Sequence, residues 1–252
     1  MQMLSAHDVA SRVREVGSGI IATDADGTLW SGDVGVDAFE AVIEQRAIRA
    51  EAVDGLRAMA REAGVLSGDD PHAWALGINA ACEQGTYSEA RTYEMMAWLF
   101  AGWGTGQVRA FVREVLGRRG IGGRVHREMT HVLTQVPGIC VVVVSASPQI
   151  VVEEALTMAA IRASAVVAAR PAEQDGRVMA CMAEPIPFGP GKVRALRAHV
   201  GEAPIAAAFG DNTFDIEMLR SAAVPVAVRP KPRLRERCSE IAGIVELAPQ
   251  AG

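Results

Sequence analysis

Two carboxylates close a short apolar stretch near the start of the chain. The stretch IIAT is followed by Asp24 and Asp26, with one alanine between them, and then by Gly27 and Thr28. Paired carboxylates beside a buried strand cost free energy, because burial and mutual repulsion both disfavour ionisation. The pair therefore caps a turn, binds a cation or performs chemistry, and these three interpretations have to be weighed against the rest of the chain.

Further polar groups follow apolar runs later in the sequence. Ser145 and Ala146 directly follow the four valines of VVVVSAS. Lys192 follows FGPG, and Asp211 and Asp215 lie in GDNTFD. Any one of these acids is easily explained as a helix cap. Their combination in this order is hard to explain by structure alone and favours a functional site.

This set of motifs resembles the haloacid dehalogenase superfamily, most of whose members are phosphatases. The resemblance rests on IIATDADGTLW, VVVVSAS, Lys192 and GDNTFD, and it covers roughly residues 18–35 and 125–230. The segments SASPQIVVE and EQDGRV, with a helical insert after the first motif, point to the phosphoserine-phosphatase-like branch. Phe214 departs from that branch, in which asparagine often precedes the last aspartate.

The resemblance implies a role for each acid of the motifs. Asp24 would be the nucleophile that forms an aspartyl-phosphate, and Asp26 the general acid and base. The cofactor would be Mg²⁺, which prefers oxygen ligands. Asp24, Asp211 and the backbone carbonyl of Asp26 would bind it, and Asp215 would do so directly or through water.

The phosphate would be bound by four groups from three of the motifs. These are the hydroxyls of Thr28 and Ser145, the backbone N–H of Ala146 and the ammonium of Lys192. Only two of the 25 basic residues are lysine, which suits a selected role for Lys192. Ser147 is expected to cap the helix that follows.

The resemblance also points to residues on the substrate side. Asp33, nine residues after Asp24, occupies the position of an acid that faces the substrate's amino group. The alternative is that Asp33 is a hinge or a helix cap. Arg91 and Arg109 are candidates for pairing with a substrate carboxylate.

Aromatic residues are concentrated in the helical insert. Tyr87, Tyr93, Trp98 and Trp103 lie within 17 residues, in a chain with 12 aromatic residues, and Trp30 follows the first motif. Aromatic faces bind quaternary ammonium groups, so a phosphocholine or phosphoethanolamine substrate is conceivable. The competing interpretation is that Trp98 belongs to a buried face of the insert.

The elements that position these residues alternate between strand and helix. VVVVSAS predicts a strand buried on both faces, as in the centre of a parallel sheet. SAVVAARPAEQDGRVMACM predicts two short strands around a QDGR turn. The expected fold is an α/β, Rossmann-like, doubly wound parallel sheet. Its strand ends would bring the polar clusters into one crevice.

The helical insert predicts a second region. Residues 36–119 show helical periodicity with no convincing strand, and the stretch from VDAFEAV to Gly64 has uninterrupted apolar spacing. We expect residues 1–35 and 125–252 to form the catalytic core and residues 36–124 an all-helical cap.

Composition narrows the classes of function. The net charge is −5 with both signs interspersed and no basic tract, which argues against nucleic-acid binding. No apolar window approaches about 20 residues, so no membrane helix is expected. Four scattered cysteines predict free thiols, each in or beside a buried segment, in a reducing compartment. A cytoplasmic monomer or homodimer is expected.

The sequence thus predicts a Mg²⁺-dependent phosphatase of a small phosphomonoester, with an amine-bearing substrate such as phosphoserine. Phosphocholine, phosphoethanolamine and histidinol phosphate are alternative substrates. A phosphomutase is an alternative function, because it would also need Asp24 and Asp26. A dehalogenase is disfavoured, because its reaction does not need Asp26 as an acid. A non-catalytic binding domain is a further alternative, but the presence of all the motif residues argues against it.

Overall fold

The computed structural model describes residues 1–250 as a seven-stranded parallel sheet covered by helices. The strand order is β1-β9-β8-β7-β2-β3-β4, which confirms the predicted α/β fold. The strands of this sheet are Gln2–Leu4 (β1), Ile20–Thr23 (β2), Cys140–Pro148 (β3), Ala165–Ala169 (β4), Ile205–Gly210 (β7), Val224–Val228 (β8) and Val245–Leu247 (β9). An antiparallel hairpin is formed by Pro171–Gln174 (β5) and Arg177–Met182 (β6).

Eleven α-helices connect these strands within residues 1–250. They are Ala6–Val16 (α1), Val34–Glu44 (α2), Ala50–Glu62 (α3), Pro71–Glu83 (α4), Glu89–Trp98 (α5), Thr105–Arg118 (α6), Arg127–Thr134 (α7), Gln149–Met158 (α8), Pro190–Val200 (α9), Ile216–Arg220 (α10) and Pro232–Arg237 (α11). None of them is long and apolar enough to cross a membrane, as judged over the described part of the chain.

The centre of the sheet is buried on both faces, as the valine run predicts. Val141 and Val143 of β3 belong to the larger hydrophobic cluster, which extends into helices α2–α6. Val142 and Val144 point to the opposite face and pack with α9 and α10. The alternation follows from the two-residue period of a strand. It places helices on both sides of β2, β3 and β7.

The long apolar pattern that ends at Gly64 forms two helices rather than one. Helix α2 ends at Glu44, where the N–H of Ala47 donates to Val42 and that of Arg46 to Ile43. These two bonds are a Schellman motif, with Arg46 in the left-handed conformation (φ 48°). Because glycine usually occupies that position, the sequence around Arg46 did not predict the end of the helix.

The segment after α8 contains three strands instead of the predicted two. Its first part, β4, pairs with β3 at the edge of the main sheet. The predicted turn is present, since Asp175 and Gly176 have positive φ and connect β5 to β6. The hairpin lies beneath helices α3 and α5. Short β1 and β9, three residues each, escaped prediction.

The four cysteines are free thiols, as predicted, and two of them are exposed. Cys140 and Cys181 are exposed, whereas only Cys238 is buried. Cys140 is the exposed first residue of β3, beside the buried valines, and Cys181 lies in the hairpin strand β6. Neighbouring apolar residues therefore did not imply burial.

Candidate active site

The polar strand ends meet at one edge of the sheet. β2 lies between β3 and β7, all parallel, so Asp24 and Asp211, which follow β2 and β7, lie at the same edge as Ser145 in the carboxyl half of β3. Ser145 and both aspartates line a cavity of about 310 Å³. Lys192, in the first turn of α9, lines it as well. The convergence follows from parallel topology, which places carboxyl ends at one edge.

Asp24 is held by backbone and side-chain bonds. Its N–H donates to the carbonyl of Phe209 at 2.9 Å, which extends the pairing of β2 with β7. Its carboxylate accepts from Lys192 Nζ at 2.5 Å and from Thr28 Oγ1 at 3.1 Å. Burial raises the pKa of Asp24 to about 7, against the opposing charge of Lys192. One oriented carboxylate is thus presented at the cavity.

The carboxyl of Asp26 is turned away from that of Asp24 by the loop after β2. Oδ1 accepts from Trp30 Nε1 and from the N–H of Val34, each at 2.8 Å. Oδ2 accepts from Ser147 Oγ at 2.7 Å. Burial raises the pKa of Asp26 to about 7, although its hydrogen bonds lower it. A group that titrates near neutrality is suited to proton transfer.

Ser147 is not the helix cap that its position suggests. The residue before α8 is Pro148, and the Ser147 hydroxyl is directed to Asp26 instead. The pairing arises because β3 extends past Ser145 to Pro148 and carries Ser147 opposite the loop after β2. Sequence reasoning missed this contact. The second serine of SAS was the available signal.

Three carboxylates form a cluster that fits a hard cation. Oxygen atoms of Asp24, Asp211 and Asp215 lie within 4.8 Å of one another, and all three residues are buried. Burial and the charge of Asp24 raise the pKa of Asp211 to about 7. A divalent cation would offset this repulsion and matches the oxygen donor set.

Lys192 joins two members of the cluster. Its Nζ donates to Asp24 at 2.5 Å and to Asp215 at 2.6 Å. Burial would lower the pKa of Lys192, but the carboxylates of Asp215 and Asp24 raise it above its usual value. The other Asp215 oxygen accepts from the N–H groups of Asp211 and Asn212. Because both its oxygens are engaged, Asp215 is less available than Asp211 for direct ligation.

The chain's other lysine also reaches the cluster. Lys231 Nζ lies 2.9 Å from Asp211 Oδ2, and Lys231 lines the cavity. The sequence prediction left it without a role. The scarcity of lysine, which singled out Lys192, was a signal for Lys231 as well.

Two glycines allow the loops to approach so closely. A Cβ on Gly27, which has φ +85°, would lie 2.1 Å from Asp211 Oδ2. One on Gly210 would lie 2.5 Å from the Cβ of Asp215. Any larger residue would therefore displace a carboxylate of the cluster.

The predicted phosphate-binding residues divide into two groups. Ser145, Ala146 and Lys192 line the cavity. Ser145 Oγ accepts from the N–H of Ser147 at 3.1 Å, so its own hydrogen can be donated to a ligand. Thr28 is fully buried outside the cavity lining, and its hydroxyl donates to Asp24. The Thr28 hydroxyl is therefore directed to the carboxylate of Asp24.

Asp33 lies in the cavity wall and also caps a helix. Its Oδ1 accepts from the N–H of Val36 at 2.9 Å at the start of α2. Burial raises the pKa of Asp33, while the N–H groups of Val36 and Gly35 lower it. The two alternatives raised by the sequence, cap and substrate ligand, are thus geometrically compatible.

The two predicted arginines lie away from the cavity. Arg91 pairs with Glu94 and Glu62, and Arg109 pairs with Glu153 and Glu154. Acidic side chains of helices α3, α5 and α8 pair with the two guanidinium groups. Among residues 1–250, no arginine lines this cavity.

Most of the clustered aromatics belong to the helical packing. Trp98 is buried, as its competing interpretation predicted, and Trp103 packs against Phe100 and Phe111. Tyr93 is the member of the predicted group that lines the cavity. Two phenylalanines, Phe188 and Phe214, join it there.

The sequence of this chain matches a protein-family model over most of its length. The model of the haloacid dehalogenase-like hydrolases matches residues 21–220. The chain belongs to this family of hydrolases. The family predicted from the motifs is thereby confirmed. No curated protein sequence matches this hydrolase closely enough to count as a relative.

Solved structures with the same fold share little sequence with this hydrolase. A protein of unknown function from Bordetella pertussis Tohama I is 19% identical, with a TM-score of 0.70 over 91% of this chain and 97% of its own. A conserved protein of unknown function from Anaerococcus prevotii DSM 20548 is 14% identical, with a TM-score of 0.67 over 90% and 85%. A probable phosphoserine phosphatase from Vibrio cholerae is 15% identical, with a TM-score of 0.55 over 92% and 61%.

Proposed function

We propose that this hydrolase is a Mg²⁺-dependent phosphatase of small phosphomonoesters. The observation that carries the proposal is the arrangement around Asp24, which joins a nucleophilic carboxylate to two further acids and a buried lysine. A separate carboxyl, Asp26, lies two residues away with its own set of hydrogen bonds. Family membership and the structural likeness to a probable phosphoserine phosphatase support the same reaction class.

The metal site would be formed by Asp24, Asp211 and the backbone carbonyl of Asp26, with Asp215 contributing directly or through water. Bound Mg²⁺ would neutralise the phosphate dianion, which otherwise repels an anionic nucleophile. Lys231, paired with Asp211, would hold that carboxylate in place.

Two displacements complete the proposed reaction. Asp24 attacks phosphorus and an aspartyl-phosphate forms, while the ester P–O bond breaks and Asp26 protonates the leaving oxygen. Asp26, now ionised, takes a proton from the water that attacks phosphorus in the second step. The Asp24–phosphorus bond then breaks, and inorganic phosphate leaves. Lys192, Ser145 and the N–H of Ala146 would balance charge on the phosphoryl oxygens.

The division of the chain follows from the same proposal. Residues 1–35 and 125–252 would be the catalytic core, and residues 36–124 a helical cap over its cavity. Tyr93 of α5 lines the cavity beside core residues, which supports this role. Closure of the cap would limit water while the first displacement occurs. The free cysteines fit the reducing cytoplasm in which we expect a monomer or homodimer to act.

Release of phosphate tests the proposal directly. We expect the wild type to release inorganic phosphate from 4-nitrophenyl phosphate with Mg²⁺ and to lose this activity in EDTA. Asp24→Asn should release none above background, whereas Arg118→Ala, at an exposed pair on α6, serves as the matched control. Activity of Asp24→Asn at the wild-type level would overturn the assignment of the nucleophile.

A further inference from the structure

Three aromatic side chains form a continuous wall on one side of the cavity. We refer to Tyr93, Phe188 and Phe214 as the aromatic wall. The ring centroids of Tyr93 and Phe188 are 5.9 Å apart, and those of Phe188 and Phe214 are 4.4 Å apart. All three remain partly exposed and line the cavity. Ring faces and edges are therefore available to a ligand.

The wall is assembled from three separate segments of the chain. Tyr93 comes from α5 of the helical insert, Phe188 from the loop before α9, and Phe214 from the turn after β7. Phe214 is the residue at which the fourth motif departs from the phosphoserine-phosphatase-like pattern. The departure therefore adds an aromatic ring to the cavity.

The surroundings of the wall are acidic. Asp26 and Asp33 line the same cavity, and burial together with the charges of Asp33 and Glu89 raises the pKa of Tyr93. The two lysines of the cavity are each already paired, Lys192 with Asp24 and Asp215, and Lys231 with Asp211. Among residues 1–250, no arginine lines the cavity.

We propose that the aromatic wall and Asp33 select phosphomonoesters whose alcohol carries an organic ammonium, preferably a quaternary one. The inference rests on the proposed phosphatase function and specifies its substrate class. Aromatic faces attract weakly hydrated cations through their quadrupoles, and a nearby carboxylate adds to that attraction. A substrate carboxylate would instead meet Asp33 without a compensating guanidinium, so phosphoserine fits this side of the cavity poorly.

A neutral isostere isolates the contribution of the charge. Phosphocholine and 3,3-dimethylbutyl phosphate have nearly the same shape, but only phosphocholine carries the positive charge. We expect the kcat/KM of the wild type with Mg²⁺ to be about tenfold or more higher for phosphocholine. Phosphoethanolamine should fall between them, and phosphoserine should be the poorest of the four substrates.

Two variants connect this ratio to the proposed residues. Asp33→Asn keeps a side-chain oxygen that can cap α2, because asparagine caps helices as well as aspartate does, but it removes the charge. Phe214→Leu keeps apolar volume and removes a ring. In each variant the ratio of phosphocholine to 3,3-dimethylbutyl phosphate should fall at least threefold. Because the ratio is taken within one protein, a general loss of activity cancels.

A matched substitution elsewhere controls for the loss of a ring. Phe111→Leu makes the same change in α6, where Phe111 packs on Phe100 and Trp103 and does not line the cavity. The substrate ratio of this variant should equal that of the wild type. An equal change in Phe111→Leu and Phe214→Leu would overturn the assignment to the wall.

The outcomes separate this inference from the proposed function. If 4-nitrophenyl phosphate is hydrolysed but phosphocholine has no advantage over its neutral isostere, the ammonium selection is wrong and the phosphatase stands. A preference for the neutral isostere would assign the wall to apolar alcohols. If no phosphomonoester is hydrolysed, the proposed function itself fails.

Discussion

Two ionic clusters in this protein, each containing a buried carboxylate, differ in their charge balance. The active-site cluster gathers Asp24, Asp211 and Asp215 around Lys192 and Lys231. The second cluster joins α6 to α8 and contains four residues. These are Arg109 and Arg113 of α6, and Glu153 and Glu154 of α8. Carboxylates outnumber cations in the first, whereas the numbers are equal in the second.

The difference appears in the pKa of the buried acids. In the active site, burial outweighs Lys192 and raises the pKa of Asp24 to about 7. Burial also acts on Glu154, but hydrogen bonds from Arg113 and Arg109 lower its pKa below the usual value. The second cluster satisfies its charges internally. The first cluster has an excess of negative charge, which a bound cation or proton would neutralise. Such an excess is expected of a functional site and not of an ion pair that only stabilises the fold.

The largest expected effect follows from replacing Asp26, the proposed general acid in the cavity of the first cluster. Asp26→Asn should lower kcat for an alkyl phosphate by about 10²–10⁴-fold, because the poor leaving group needs protonation. The loss should be smaller for 4-nitrophenyl phosphate, whose leaving group is stable as an anion. Steady-state kinetics with both substrates measures the difference, and equal losses for the two would contradict the general-acid role.

The next effect concerns stability at the same site. Lys192→Met leaves Asp24 and Asp215 buried without their cation and should lower the free energy of unfolding by about 3–5 kcal/mol. Urea denaturation in EDTA measures this change. Lys231→Met is the matched control, because that half-exposed side chain is partly hydrated and should cost less than about 1 kcal/mol. An equal decrease in the free energy of unfolding for the two variants would show that burial of Lys192 does not increase its contribution to stability.

A smaller loss of folding stability is expected at the second cluster. Arg109→Ala with Arg113→Ala removes both partners of buried Glu154 and should cost about 2 kcal/mol, because the arginines are themselves partly exposed. The same denaturation experiment measures the loss, with Arg118→Ala expected to be nearly neutral. A double variant as stable as the control would mean that this cluster does not stabilise the contact of α6 with α8.

The smallest effect is a difference in pH dependence. Asp26 has a raised pKa, so the folded protein binds this proton more tightly than the unfolded chain, and stability should fall as pH rises from about 4 to about 7. Asp26→Asn removes this contribution. Its melting temperature relative to wild type should therefore be higher near pH 7.5 than near pH 4.5 in EDTA.

Glu154 should contribute with the opposite sign. Its pKa is lowered, so its stabilisation is present above the unfolded value of about 4.3 and is lost as pH falls through the folded pKa. Glu154→Gln should therefore lower the free energy of unfolding near neutral pH and change it little at acidic pH. Thermal melts of both variants at matched pH values measure the two slopes, and parallel slopes would contradict the contrast between the clusters.

The strand ends and their acids could be predicted from local sequence pattern. IIAT and VVVV are apolar runs too short for helices and bounded by polar residues, so they predicted buried strands. Parallel topology then required Asp24, Ser145 and Asp211 to meet at one edge. The sequence was less informative where the chain uses an unusual residue, as at Arg46, which takes the place of glycine at the end of α2.

The chemical groups, and the sheet edge that presents them, follow from local pattern, because apolar runs mark the strands and polar residues follow them. The order of the strands and the contacts between the groups depend on packing of the whole chain. Ser147 reaches Asp26 across 121 positions, and Lys231 reaches Asp211 from beyond the next strand. The aromatic wall draws its rings from three distant segments. Such contacts arise from packing across loops, for which no local periodicity exists.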